Sequence, residues 1–236
     1  MSSVLVSPLP GETLLTVAGA TLVPEPSGAL WWPECETLVV ADEHLEKATA
    51  FAGRGQLLPP YDTAATLQRL AAAVRLRRPK RLVCLGDSFH DRAAAGRLAP
   101  EARALIAELA AATDWVWIAG NHDPAPPAGL GGRVEAELAL GGLVFRHEAL
   151  EAEAAGELSG HFHPKARVRL RARDVWARCF VGDGRRLILP AFGAFAGGLD
   201  VLSPAIRRLF PEGFEVALLG SRAVYRFPAE ALQPIA

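Results

Sequence analysis

The chain contains six histidines. Each of them follows a short apolar run and lies close in the sequence to carboxylate, amide or arginine side chains. Imidazole nitrogens together with carboxylate and amide oxygens form a donor set that suits transition metals such as Mn, Fe and Zn. A single histidine is more often a core or surface residue, but this joint pattern is difficult to explain in that way. The number of candidates indicates two metal ions. The polar residues at the ends of the runs are Asp42, His44, Asp87, His90, Arg92, Asn121, His122, Asp123, His147, His161 and His163.

Short strands and helices must position these residues. The apolar runs are four to six residues long, the length of a buried strand, and they begin near residues 37, 81, 114, 143, 157 and 186. Helical spacing of apolar residues occurs between the first three runs, in the segments 62–79 and 99–113. Further short strands are predicted near Val4–Val6, Thr13–Val17, Thr21–Val23, Val216–Leu219 and Ala223–Phe227. The alternation predicts a layered α/β fold, with two central mixed β-sheets flanked by α-helices.

The arrangement of the polar residues predicts a single ligand site. In open α/β sheets, ligands bind outside the carboxyl ends of the strands, where five of these runs end. Residues i and i+2 of an extended segment point to the same side, so Asp42 and His44 could both face a metal, as could His161 and His163. Phe162 would then be free to pack. Glycines that precede the candidates suit a tight turn or a close approach of the backbone.

Five short motifs resemble those of a known family. Asp42-x-His44, GDSFHDR at 86–92, GNHD at 120–123, His147 and GHFH at 160–163 occur in the order found in calcineurin-like metallophosphoesterases. The resemblance covers roughly residues 35 to 200. Residues 41–67 resemble a narrower bacterial subgroup, the DNA ligase-associated metallophosphoesterases described as DNA damage response endonucleases. Glu43 departs from that pattern, which has an apolar residue there.

The resemblance implies a role for each motif. One metal would be bound by Asp42, His44, Asp87 and His163, and the second by Asp87, Asn121, His147 and His161, with Asp87 shared. His122 would contact the phosphate and protonate the leaving oxygen, and Asp123 would orient His122. His90 and Arg92 could contact substrate, or could make a hydrogen bond and a salt bridge with purely structural roles. The expected metals are two divalent transition-metal ions, with Mn²⁺ preferred and Fe or Zn as alternatives.

These assignments predict a metal-dependent hydrolase of phosphate esters. Two metals about 3.5–4 Å apart can activate a bridging water and clamp the attacking and leaving oxygens of an in-line displacement. No serine, cysteine or threonine is placed beside a histidine and a carboxylate, so direct attack by a hydroxide bridging the metals is expected. The first hypothesis is a DNA endonuclease or phosphodiesterase in DNA repair. The resemblance also implies a functional association with a DNA ligase and a helicase. The alternatives are a phosphoesterase for a nucleotide or another small ester, and a non-catalytic interaction scaffold.

Arginines at every second position after His163 bear on the substrate. On one extended strand, Arg167, Arg169, Arg171 and Arg173 would share a face and could contact phosphates. The same pattern is typical of a solvated edge strand, where charge discourages aggregation. Both readings stay open. A second basic cluster, at 75–81, is expected to lie away from the site, and Trp31, Trp32, Trp115 and Trp117 are expected in the core.

Composition sets the remaining expectations. The net charge is −1, so any contact with nucleic acid must come from local patches and not from a global positive field. The three cysteines are widely spaced and are expected to be free thiols in a reducing compartment. No stretch resembles a signal peptide or a membrane span. The sequence therefore predicts one cytoplasmic metallophosphoesterase domain over residues 1–236, without membrane contact.

Overall fold

The computed structural model describes residues 11–122, 129–151, 155–170 and 173–235. Two sheets occur in this part of the chain. The first, in the order β1 to β7, consists of β1 Leu15–Val17, β2 Ala20–Pro24, β3 Leu30–Trp32, β4 Thr37–Val40, β5 Arg81–Cys84, β6 Asp114–Ile118 and β7 Arg133–Glu135. Strands β1 to β4 pair antiparallel, and β4 to β7 pair parallel.

The second sheet is also mixed. Its strands are β8 Leu138–Leu140, β9 Leu143–Phe145, β10 Glu157–Ser159, β11 Lys165–Leu170, β12 Arg173–Gly182, β13 Arg186–Ile188, β14 Glu215–Leu219, β15 Val224–Pro228 and β16 Leu232–Gln233. The order is β15-β14-β12-β13-β10-β9-β8, and β11 pairs with β12 and β16. The pairs β9–β10 and β10–β13 are parallel, whereas the others are antiparallel.

The helices lie on the outer faces. They are α1 Lys47–Ala52, α2 Asp62–Arg77, α3 Pro100–Ala112 and α4 Pro204–Arg207, and 3₁₀ turns occur at Pro33–Cys35, Ala94–Arg97 and Ala229–Ala231. No described helix has the length and apolar character that crossing a bilayer requires.

Successive side chains along a strand point to opposite faces of the sheet, and this alternation creates the layers of the core. In β4, Leu38 and Val40 pack toward α2 and α3, whereas Val39 packs toward the second sheet together with Phe145 and Phe180. This period of two is the signature of a strand that is covered on both faces. A third cluster on the far face of the second sheet is covered by α4 and its neighbours. The structure thus confirms the predicted layered α/β fold with two mixed sheets.

Most of the expected elements are present. The six strand predictions correspond to β4, β5, β6, β9, β10 and β13, and the two helix predictions correspond to α2 and α3. The predicted strand near Val4–Val6 lies outside the described residues. Trp31, Trp32, Trp115 and Trp117 are all at most 3% exposed, which confirms their place in the core.

Candidate metal centre

Five strands deliver the candidate residues to one region. Asp42 and His44 follow β4, Asp87 follows β5, and Asn121 follows β6 in the first sheet. His147 follows β9, and His161 and His163 follow β10 in the second sheet. The site therefore lies where strand ends of both sheets meet, and neither sheet supplies all of it.

The side chains form two groups in which the potential ligand atoms lie within 4.8 Å of one another. The first group is Asp42, His44 and His163, and the second is Asp87, His147 and His161. In the first, His44 Nε2 is 3.2 Å from His163 Nε2, and Asp42 Oδ1 is 3.4 Å from that same His163 atom. His161 and His163 thus enter different groups, although they are only two residues apart.

The Asn121 side chain contacts the second group through His147. His147 Nε2 lies 2.7 Å from the Asn121 side-chain amide, 3.1 Å from His161 Nδ1 and 3.5 Å from Asp87 Oδ2. The other ring nitrogen of His147 is 2.9 Å from the Leu85 carbonyl oxygen, which can accept only an N–H. Nδ1 then carries the proton, and Nε2 is left with its lone pair directed at the group.

Backbone groups hold the two carboxylates in place. His161 N donates to Asp42 Oδ2 at 2.9 Å, and His122 N donates to Asp87 Oδ1 at 2.9 Å. Each carboxylate therefore keeps one oxygen oriented by the backbone and another turned toward imidazole nitrogens. Asp42 is completely buried, and Asp42 Oδ1 makes no hydrogen bond with the described residues.

This donor set fits a pair of metal ions. Burial lowers the pKa of His44 to about 3, and burial also lowers the pKa of His161, so both rings are neutral, the form that binds a metal. Two imidazole nitrogens that face each other at 3.2 Å, beside a carboxylate oxygen without a hydrogen bond, are satisfied by a shared cation. Imidazole and carboxylate ligands in this number suit divalent transition metals.

Left-handed backbone produces this convergence. Asp42, His44, Asp87, His161 and His163 have φ between 44° and 71°, and together they make up five of the nine described non-glycine residues with positive φ. The expectation that Asp42 and His44, or His161 and His163, converge because their segments are extended is therefore wrong. Each strand ends, and a strained turn then directs the side chain into the site, as is common at functional positions.

Two glycines allow the close approach. A Cβ atom at Gly86 would lie 2.5 Å from the His147 ring, and one at Gly160 would lie 2.6 Å from Asp42 Oδ2. Any side chain at either position would displace a candidate ligand. Phe162, between the two histidines, is buried in the cluster on the far face of the second sheet, as predicted.

His122 lies beside the two groups and is more accessible. Its side chain is 44% exposed, its Nε2 is 3.9 Å from Asp87 Oδ2, and its Nδ1 is 3.1 Å from the His90 carbonyl oxygen. The His90 ring stacks on the His122 ring at 5.8 Å between centroids and also contacts Phe51 of α1. His90 therefore supports His122 through both its ring and its carbonyl oxygen. Asp123, the predicted orienting residue, lies outside the described residues.

The three predicted arginine contacts are not brought into the cluster by any described interaction. Arg92 is exposed. Arg167 and Arg169 lie on β11, and both bind Asp174 of β12. Arg173 lies on β12 and not on the same strand as the other two, and Arg171 lies outside the described residues. The expected face of four arginines on one strand is therefore wrong.

Sequence reasoning missed two neighbours of the site and did not anticipate the burial of a third, Glu43. Glu148 Oε1 lies 3.5 Å from His161 Nε2, and Phe51 packs against His90. Glu43 is buried beneath the site, and its burial raises its pKa to about 7. Glu148 could have been noticed because it directly follows His147, but no pattern in the sequence indicated Phe51.

The chain was compared with known proteins. A family model described as calcineurin-like phosphoesterase matches residues 36–200. No curated protein matches the chain. The crystal structure of a nuclease, MPE, from Pseudomonas putida is 29% identical, with a TM-score of 0.69 over 92% of this chain and 100% of that chain.

Two other solved structures are more distant. YfcE, a phosphoesterase from E. coli, is 15% identical over 81% of this chain and 98% of that chain, with a TM-score of 0.43. A predicted phosphoesterase from Streptococcus pneumoniae is 18% identical over 81% of this chain and 96% of that chain, with a TM-score of 0.31. At these TM-scores neither structure supports any argument about the site.

Proposed function

Since the chain belongs to the calcineurin-like phosphoesterase family and is a metal-dependent phosphoesterase, we propose that it is a two-metal phosphodiesterase that cleaves DNA. The observation that supports two metals is the pair of adjacent ligand groups, each with one carboxylate and two imidazoles. The proposal of DNA as substrate is supported by the similarity to a nuclease over 92% of the chain. A role in DNA repair, and association with a ligase and a helicase, extend this proposal and are supported by the sequence resemblance alone.

We assign the ligands as follows. Asp42, His44, Asp87 and His163 bind the first metal, and Asp87, Asn121, His147 and His161 bind the second. Asp87 suits a shared role because its two oxygens face different directions, one toward the His122 amide and one toward His147. When bound, two divalent ions supply Lewis-acid stabilisation and lower the pKa of water to the neutral range. We propose Mn²⁺ as the native metal, with Fe or Zn as alternatives.

His122 is proposed as the general acid. Its Nδ1–H donates to the His90 carbonyl oxygen, so that Nε2 faces the region of Asp87 where the phosphate would lie. A proton on Nε2 can then pass to the oxygen of the leaving group as the P–O bond breaks. The 44% exposure of the His122 side chain supports this role, because a general acid must reach the substrate. Asp123 remains the proposed orienting partner.

The rest of the chain is proposed to form one domain with the site. The two sheets share a buried layer that includes Val39, Val83, Phe145 and Phe180, and residues from both sheets build the metal groups. Arg167 and Arg169 are retained only as secondary substrate contacts, since both already bind Asp174. Without that face, a small phosphate ester is the second candidate substrate.

The test uses metal-free protein reloaded with Mn²⁺. Hydrolysis of bis(p-nitrophenyl) phosphate is compared with that of p-nitrophenyl phosphate, and cleavage of an end-labelled oligonucleotide is then measured. Diester and oligonucleotide cleavage that require both Mn²⁺ and His122 would support the proposal. Activity on the monoester alone would favour the small-ester candidate, and a fully metal-loaded protein without activity would favour a scaffold.

A further inference from the structure

One tryptophan is exposed, in contrast to the four core tryptophans. Trp176 is 61% exposed and lies on β12, directly opposite Arg167 of β11. Its side chain lies on the outer face of the β11–β12 hairpin, because Ala166, Val168 and Ala177 on the other face pack into the core. This hairpin begins two residues after His163. A large aromatic surface is therefore open to solvent on the hairpin that follows the candidate ligand His163.

The cationic side chains on the outer face of the β11–β12 hairpin differ in whether they have a carboxylate partner. Arg167 and Arg169, toward the tip of the hairpin, share Asp174. Lys165, nearest to His163, has no carboxylate within ion-pair distance among the described residues, and its Nζ lies 5.3 Å above the Trp176 ring. A cation of this face without a described carboxylate partner thus lies beside the exposed aromatic ring, at the end of the hairpin that follows His163.

Two further guanidinium groups extend this charge toward the metals. Arg178, the cross-strand neighbour of Lys165, donates to the Ala191 carbonyl oxygen at 2.6 Å. Arg69 of α2 donates to the carbonyl oxygen of Phe192 and stacks on its ring. Burial lowers the pKa of both arginines, and Arg178 further lowers that of Arg69. Neither arginine has a described carboxylate partner, and Arg69 Nε is buried without a hydrogen bond to the described residues.

The loop that both arginines bind is attached to the metal centre. Phe192 N donates to the Ala41 carbonyl oxygen at 2.7 Å, and Gly193 N donates to the Asp42 carbonyl oxygen at 3.1 Å. Partly buried cations without anionic partners are costly unless a ligand supplies the opposite charge. A chain of contacts therefore runs from Asp42 to the 191–193 loop, from this loop to Arg178, and from Arg178 across the strands to Lys165 and Trp176.

We propose that Arg69, Arg178, Lys165 and Trp176 form a binding strip for single-stranded DNA, with phosphates on the three cations and one base stacked on Trp176. This inference rests on the proposed function and makes it more specific, because a stacking platform requires a base that is not paired within a duplex. An aromatic ring beside backbone-binding cations is the usual arrangement for single strands. The strip would hold the strand on one side of the metal centre while a phosphodiester lies at the metals.

The first test is binding of fluorescein-labelled oligothymidylate to metal-free protein, measured by anisotropy. Trp176→Ala should weaken binding about tenfold, within the range of base–aromatic stacking, whereas Trp176→Phe should retain most of the affinity. Tyr225→Ala is the matched control, because Tyr225 is 54% exposed on β15 and lies outside the strip. Its affinity should equal that of the wild type. Equal affinities of Trp176→Ala and Tyr225→Ala would overturn the proposal.

The second test concerns charge. Lys165→Gln should weaken binding and reduce the salt dependence of log K by about one phosphate contact. Arg226→Gln is the control, because Arg226 is exposed and already paired with Glu215. An unchanged salt slope in Lys165→Gln, or the same reduction in both variants, would remove Lys165 from the strip.

The two proposals can fail separately. A wild-type protein that hydrolyses bis(p-nitrophenyl) phosphate but does not bind oligothymidylate would overturn the strip and leave the phosphodiesterase proposal standing. Binding that depends on Trp176, in a metal-loaded protein that cleaves neither substrate, would support the strip and overturn the catalytic proposal. Stronger binding of duplex than of single-stranded DNA, with no effect of Trp176→Ala, would also overturn the strip.

Discussion

Two of the regions that bury charged groups differ in whether the protein itself supplies the opposite charge. At the end of α2, the Arg77 side chain is 4% exposed and binds Glu25, which is equally buried, through a 2.6 Å contact, and Glu12 as well. At the metal centre, Asp42 and Asp87 are buried among imidazoles, and His44 faces His163 at 3.2 Å. Burial alone would lower the pKa of Arg77, but the hydrogen bonds to Glu12 and Glu25 raise it, whereas burial lowers that of His44 to about 3.

The difference separates a structural cluster from a ligand site. Arg77 and its carboxylates contain both signs of charge, so the cluster is complete within the protein. The candidate metal centre combines carboxylates with imidazole rings and has no lysine or arginine ion pair among the described residues, so a bound ion is expected to balance its charge. The same contrast distinguishes the Asp174-bound arginines of β11 from Arg69 and Arg178.

The largest expected effect follows from removal of Asp87, the carboxylate that we propose both metals share. Asp87→Ala should lower the rate of diester hydrolysis at least about 10³-fold, because a two-metal centre contributes several kcal/mol to the transition state. Metal content, measured by plasma mass spectrometry, should fall at the same time. The metal-free variant should unfold at the same or a higher temperature than metal-free wild type, since one buried negative charge is gone. Full metal occupancy in this variant would show that Asp87 is not a ligand.

His122 separates catalysis from metal binding. His122→Ala should lower kcat by about 10²- to 10⁴-fold, the usual contribution of a general acid, while the backbone N–H that holds Asp87 is kept. Metal content should match that of wild type. Loss of metal from this variant would instead make His122 a ligand.

Substitution of Arg77 should lower stability and leave activity unchanged, the reverse of the result expected for His122. Arg77→Met leaves Glu25 buried without a cation and should lower the free energy of unfolding by about 3–5 kcal/mol, measured with urea. Activity per folded, metal-loaded molecule should not change. Arg226→Gln, which breaks the exposed pair with Glu215, is the control and should cost about 1 kcal/mol or less. An equal effect of the two substitutions would remove the distinction between these ion pairs.

The smallest expected effect is that of metal on stability. Mn²⁺ at about 100 times its dissociation constant should raise the free energy of unfolding by about 2.7 kcal/mol, because the ligand set exists only in the folded chain. The gain should be smaller in His161→Ala, which removes a proposed ligand of the second metal and leaves the proposed ligands of the first, measured in the same denaturant series. A metal effect of full size in this variant would show that His161 is not a ligand.

Much of the layered fold could be predicted from the sequence, because the strands are buried on both faces and read as continuous apolar runs. Strand β4 and helix α2 are examples, each with clear periodicity and a polar or proline boundary. The short strands β7 and β8 were missed, since each has only three residues and is too short to show a period of two. Helix α1 was also missed, because it has only six residues and no capping side chain.

The candidate ligands could be identified from their types and spacing, but their geometry could not. Nothing in the sequence indicates that Asp42 and His161 have left-handed backbone, because that conformation depends on strands that are distant in sequence. The arginine face illustrates a second limit. The alternation of Arg167 and Arg169 was correct, but Asp174 lies on the adjacent antiparallel strand, and this pairing was not predicted.

The division of the ligands between two sheets has a consequence for how the protein is made. Asp42 and Asp87 follow strands of the first sheet, whereas His147 and His161 follow strands of the second. His147, the earlier of the two histidines, lies 60 residues after Asp87 in the chain. Neither sheet alone carries all the proposed ligands, so we expect tight metal binding only after one sheet has docked on the other. During synthesis, a chain that has emerged only as far as β7 lacks His147, His161 and His163. We therefore expect metal to stabilise the folded chain and not to direct its assembly.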